Sequence, residues 1–173
     1  KILSEAGRSL QLDAMAVSAN VLEFTGVRPL LGHGFDARDS KPGAEPTVLL
    51  SYGTWRSRFG GDPNIVGTTL RLDGVSHLVV GVAPSRFVFP PPVVTRGVVR
   101  EYRPGLVVPL VASRENRTPR GTFAVARLGG GLTVLAARAR LQPVVEELAR
   151  QQPDFFGDGL TASLMPLRNQ GVS

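Results

Sequence analysis

Polar and apolar residues alternate between positions 8 and 17, with Leu10, Leu12, Ala14 and Ala16 on one side and Ser9, Gln11 and Asp13 on the other. That period of two predicts one half-buried strand. Ser18 is placed as N-cap of a short helix through Asn20 to Phe24, ended by Gly26, whose tolerance of positive φ suits a helix C-terminus. Pro29, Gly32 and Gly34 keep the next stretch irregular, and Pro42, Gly43 and Pro46 mark a polar loop. Residues 47–50 read as a short buried strand and Ser51 as a second N-cap. A helix over 52–59 then puts Tyr52, Trp55 and Phe59 on one face before Gly60-Gly61 stops it. Asp62-Pro63 restarts the chain and Gly67 leads into a strand. Asp73-Gly74, between strands 68–72 and 76–82, is the sequence of a positive-φ hairpin turn.

The pattern is less regular afterwards. Residues 83–105 are rich in Pro and Arg and are expected to be mostly extended or loop. Strands are expected at 106–110 and 122–128. Gly129-Gly130-Gly131 then opens onto Thr133, the expected N-cap of a helix over 134–151 with Val134, Ala137, Leu141, Val144 or Val145, and Leu148 on one stripe. Pro143 interrupts that helix and predicts a kink. A last strand is expected over 160–167. Interleaved strands and helices with hairpins define an α+β class.

Composition narrows the chemistry. A chain of 173 residues, 42% hydrophobic and 20% charged, buries roughly two thirds of its unfolded surface and needs no staple. It has no cysteine, which excludes disulfides, thiolate nucleophiles and Cys-ligated zinc, and two histidines argue against a His-rich metal site. No apolar run approaches the ~18 residues of a membrane span. The start, Lys1-Ile2-Leu3-Ser4-Glu5, reads as an excerpt from a longer protein, without a signal peptide. Twenty basic residues against fourteen acidic give +6.

Catalytic templates fail one after another. Gly129-Gly130-Gly131 lacks the lysine and hydroxyl of a phosphate loop, and Gly74-Val75-Ser76-His77 lacks the spacing of a nucleophile elbow. His33, Asp36 and Asp39 are the one set that an acid–base hydrolase or metal site could use, although their setting beside Gly32 and Gly34 is that of an exposed turn. His77 is expected as a half-exposed strand residue. Glu146 and Glu147, about 100° apart on a helix, read as a solvated face. Arg96, Arg100, Arg103, Arg114, Arg117 and Arg120 lie close in sequence against only Glu101 and Glu115. With Tyr102 the one aromatic among them, no nucleic-acid partner is expected.

Three blocks carry a more specific signal: VSANVLEFTGVRPLLGHGF at 17–35, LSYGTWRSRFGGDPNIVGTTLRLDG at 50–74 and VVGVAPSRFVFP at 79–90. With ARLGGGLTVLAARARLQPVVEELA at 126–149 and LTASLMPLRNQ at 160–170, they resemble the periplasmic core domain of MacB-like and FtsX-like ABC transporter permeases. Val21 and Leu22 stand where the family has large aromatics, His33 where arginine is common, and Gly130 where proline is. The resemblance implies a two-lobed α+β core domain on the periplasmic face of a bacterial inner membrane. A porter-like βαβ lobe, residues 1–35 and 105–173, is interrupted by an inserted sabre-like lobe, residues 36–104. The family's strand and helix ahead of residue 1 are expected to be missing, leaving an exposed sheet edge.

The implied role is non-catalytic and needs no cofactor or metal. The domain would transmit conformational change from cytoplasmic ATP hydrolysis to export or release of a substrate outside. Its implied partners are its own transmembrane helices, a cytoplasmic ATP-binding subunit or domain, a second copy in a homodimer, and a membrane-fusion adaptor. The motif residues Ser18, Asn20, Gly26, Pro29, Gly32, Trp55, Phe59, Gly60, Asp62, Pro63, Gly67, Asp73 and Gly74 are expected to do structural work. Two other readings stay open: a small-molecule or lipid-binding extracytoplasmic module, and a hydrolase using His33, Asp36 and Asp39.

Overall fold

The computed structural model describes residues 1–5, 8–89, 93–95, 98–100, 102–111, 124–153 and 160–164. The chain divides into two compact units, Lys1–Arg114 and Glu115–Ser173. In the first, β1 (Ile2–Glu5), β2 (Arg8–Gln11) and β3 (Ala14–Val17) precede helix α1 (Val21–Thr25) and the two-residue β4 (Leu31–Gly32). Strand β5 (Thr47–Leu50), helix α2 (Tyr52–Arg58) and a 3₁₀ turn (Pro63–Ile65) follow. Then come β6 (Thr69–Leu72), β7 (Val75–Val82), β8 (Val93–Thr95), β9 (Val98–Arg100) and β10 (Leu106–Pro109).

One mixed sheet of eight strands runs in the order β2-β1-β6-β7-β5-β10-β3, with β4 added on β7. The pairs β5–β7 and β10–β3 are parallel. All four residues of β5 are buried, as expected of a central strand covered on both faces. Val48 and Leu50 join a core with Leu3, Trp55, Leu70, Leu72 and Leu106 on one face. Leu49 joins Val17, Leu22, Phe35, Val80 and Val107 on the other. The register of β5 against β7 slips between Val48 and Leu49, whose partners are Val79 and Gly81. That bulge at Val80 puts Val79 and Val82 on the same face, where strict alternation would separate them.

Local sequence signals place several elements. Ser51 accepts from Thr54 N at 3.2 Å and caps α2. Asp62 accepts from Asn64 N at 2.9 Å and opens the 3₁₀ turn with Pro63 behind it. Asp73 at φ 50° and Gly74 at φ 81° turn the β6–β7 hairpin, the positive-φ pair that the twist of two strands demands.

Other expectations change. The alternating stretch 8–17 is two strands. Arg8–Gln11 pairs with β1 and Ala14–Val17 with β10. Between them the Asp13 carbonyl turns away to accept from Gly105 N at 2.8 Å and Leu106 N at 3.0 Å. The N-cap position of α1 is Asn20, which makes no side-chain cap, while Ser18 lends only its carbonyl, to Val21 N. Within residues 83–105, β8 and β9 are extended, in keeping with the extended-or-loop reading, and pair antiparallel with each other. His77 is buried, at 7% exposure, because β7 is an interior strand.

Strands from all three sequence segments, 1–35, 36–104 and 105–173, share this sheet: β3, then β5 to β7, then β10. In the second unit, helix α3 (Val134–Gln151) starts where Thr133 accepts from Ala136 N at 3.1 Å, and it is continuous through Pro143. Residues 124–128 are not a strand; 122 and 123 lie outside the described residues. Residues 160–164 are not a strand either, and 165–167 lie outside the described residues. Instead, the Gln142 side chain holds this segment, accepting from Ala162 N at 2.9 Å and donating to the Leu160 carbonyl at 3.4 Å.

Candidate functional site

The acid–base candidates form a solvated turn. Asp39 accepts from Asp36 N at 2.7 Å, and Asp36 accepts from Arg38 N at 2.6 Å and from the Arg38 guanidinium at 2.9 Å. The Arg38 guanidinium, hydrogen-bonded to Asp36, holds that carboxyl below the usual carboxylate range, and the Arg38 backbone N–H adds to the effect. His33 is exposed, and its Nδ1 lies 2.8 Å from the Gly34 carbonyl. The two carboxylates are therefore spent on the turn and its arginine, where a hydrolase needs a poised base aimed into a pocket. Among the described residues no group of three His, Asp or Glu side chains could hold a metal ion.

The motif residues sit at junctions of the sheet. Gly26, at φ 68°, ends α1 with its N–H on the Glu23 carbonyl. Pro29 precedes β4, where Leu30 N reaches the Val82 carbonyl at 2.8 Å. Gly32 adopts φ 68°, and a Cβ there would collide with the Val80 carbonyl. Trp55 donates from Nε1 to the Asp62 carbonyl at 2.8 Å, which ties α2 to the segment that leaves it, while Phe59 packs against the same core. Gly60 and Gly61, at φ 60° and 75°, make the exit. Gly67 N binds the Val79 carbonyl at 2.8 Å and sets up β6.

A concave feature lies at one end of this sheet. A groove of about 500 Å³ is bounded by four segments distant in sequence: Leu12 ahead of β3, 51–58 after β5, 83–87 after β7, and 103–105 ahead of β10. It opens at the carboxyl ends of the parallel pair β5 and β7, the end where crevices form in sheets with parallel strands. The walls are pinned by backbone bonds: Ser51 N to the Gly105 carbonyl at 3.0 Å, Gly105 N to the Asp13 carbonyl at 2.8 Å, and Ala83 N to the Leu50 carbonyl at 2.8 Å. Arg103 belongs to the basic cluster evident in the sequence. Arg58, Ser57, Ser85 and Phe87 carried no such signal, because only the pairing of β5, β7 and β10 brings them together.

Against known proteins, the sequence profile of the MacB-like periplasmic core domain matches residues 3–144. The crystal structure of the periplasmic region of MacB from Actinobacillus actinomycetemcomitans superposes with a TM-score of 0.58 at 14% sequence identity, covering 85% of this chain and 62% of that one. No curated protein matches the sequence. The chain is thus a mixed α/β domain by fold, and it belongs to the MacB-like periplasmic core domain family. This chain spans less than two thirds of that periplasmic region. Among the described residues no helix is long and apolar enough to cross a membrane.

Proposed function

We propose that the chain is the outer, non-catalytic domain of a bacterial ABC-type permease. It carries movement produced by cytoplasmic ATP hydrolysis to the export or release of a substrate on the periplasmic side. The observation that carries this reading is the family match over residues 3–144. It is supported by motif residues that shape helix ends, turns and strand crossings: Gly26 ends α1, Trp55 ties α2 to Asp62, and Gly32 passes against the Val80 carbonyl. A sheet built around a fully buried central strand, β5, moves as a unit, since interiors packed to crystal density transmit displacement and do not absorb it. The partners in this reading are the parent's transmembrane helices, its cytoplasmic ATP-binding subunit or domain, a second copy, and a membrane-fusion adaptor.

The test uses the parent transporter reconstituted in vesicles, with residues 3–144 replaced by a short flexible linker. The expected result is ATP hydrolysis within about twofold of the parent and loss of coupled substrate movement. Substrate movement at the parental rate would overturn the transmission role.

A further inference from the structure

The β1–β2 hairpin is joined to the rest of the sheet by a narrow seam. It is a ribbon with its own ladder, which runs from Ile2↔Gln11 to Glu5↔Arg8, and Lys1 and Leu12 exchange backbone bonds of 2.8 and 2.9 Å beyond it. Strand β2 ends the sheet, and β1 pairs with β6 only through Leu3↔Leu72 and Ser4↔Arg71. Among the described residues of 1–11, Leu3 is the buried side chain. One side chain closes the end of this seam. Asp73 accepts from Ile2 N at 2.6 Å and from the Lys1 ammonium at 2.9 Å, while its own N–H donates to the Ile2 carbonyl at 2.8 Å.

We propose that Asp73 is the latch of a detachable strap: its carboxylate holds residues 1–11 against β6, and loss of that charge frees the hairpin as a unit while the remaining strands stay paired. The ribbon's internal ladder keeps it together, and so narrow a seam is a boundary along which a sheet opens locally before it unfolds globally. Asp13 is the hinge, since its carbonyl stays bonded to Gly105 N and Leu106 N. Released, the strap leaves the outer edge of β6 unpaired, and an open edge accepts another strand. The charged groups that face the carboxylate are the Lys1 ammonium and the amino terminus, while Arg71, two residues before it, gives its Nε–H to the Gly74 carbonyl. The Ile2 N–H and the Lys1 ammonium hold the Asp73 carboxyl below the usual carboxylate range. The latch is therefore charged at neutral pH, and its contribution is lost as pH falls through that lowered range. The inference concerns the first unit alone and does not rest on the transmission role.

Amide hydrogen exchange of the 173-residue chain, read by nuclear magnetic resonance as protection factors, separates the strap from the sheet. Ser4 and Arg71 face each other across the seam and report docking, while 47–50 and 78–82 report the remaining sheet. At pH 7, Asp73→Gly removes both acceptor oxygens and is expected to lower protection at Ser4 and Arg71 at least about tenfold. Asp73→Asn keeps one acceptor without the charge and should lower it at least about threefold, the scale that separates charged from neutral hydrogen bonds. Both replacements tolerate positive φ, and protection over 47–50 and 78–82 should stay within about twofold of the parent. As pH is lowered through the carboxylate range, the parent is expected to lose seam protection and Asp73→Asn to show no such loss. Unchanged seam protection in Asp73→Gly, loss of protection over 78–82 in step with the seam, or the same acid response in the parent and Asp73→Asn would each overturn the proposal.

Discussion

Gly81 shows how a single position decides the local geometry. Its φ is ordinary, yet a Cβ placed there would stand 2.6 Å from the carbonyl oxygens of both His33 and Leu31. Neither can retreat. Leu31 and Gly32 pair with Val82 and Gly81 across β4–β7, and His33 N binds the Val80 carbonyl at 3.0 Å. The bulge at Val80 turns the strand so that position 81 runs beneath the crossing chain, and only hydrogen fits. Gly81→Ala is therefore expected to cost about 2–4 kcal/mol, the range of an overpacked site that cannot relax. Gly129→Ala is the matched control, since nothing lies within 4 Å of its Cβ position and its φ is not positive; it should stay within about 0.5 kcal/mol. Urea unfolding of both variants measures the difference, and equal effects at the two positions would show that β4 does not constrain β7.

Elements whose signal is local were legible in the sequence, and those defined by distant partners were not. Ser51, Asp73-Gly74 and Thr133 act within three or four residues, so the start of α2, the β6–β7 hairpin and the start of α3 follow from spacing alone. The division of 8–17 into β2 and β3 depends on β1 and on β10, the latter some ninety residues away. Alternation continues across the break because both halves pack against the same core. The groove was hidden for the same reason, as its walls are neighbours only once the sheet has paired. Helix α3 offers the sharpest test at this scale. Pro143 has no N–H to give the Ala139 carbonyl, and it stands exposed on the side away from the apolar stripe. Pro143→Ala restores the bond without disturbing buried packing. It is expected to raise helix content by far-ultraviolet circular dichroism and to stabilise α3 by up to about 3 kcal/mol, the interior cost of proline. A fall in helix content would show that the ring's geometry is required where it stands.

At the scale of the whole molecule, the buried apolar residues among those described are divided unequally between the two units. Both core clusters are built within Lys1–Arg114, from Leu3 to Leu106 on one face of the sheet and from Val17 to Val107 on the other. Among the described residues of Glu115–Ser173, the buried apolar side chains are Ala137 and Ala162, while Leu135 is 76% and Val144 54% exposed. The described residues of this unit bury too little apolar area among themselves to offset the roughly 1–2 kcal/mol per residue of their own backbone ordering. An isolated eighteen-residue helix is only marginal in water. The first unit meets neither difficulty, because each of its central strands is hydrogen-bonded on both sides and covered by the two cores. Residues 1–114 expressed alone are therefore expected to unfold in one cooperative urea transition, with the midpoint of the full chain and a smaller slope from the smaller surface exposed. Residues 115–173 alone are expected to show no cooperative transition. A fragment 1–114 that fails to fold, or that unfolds well below the full chain, would place part of the sheet's stability in the second unit.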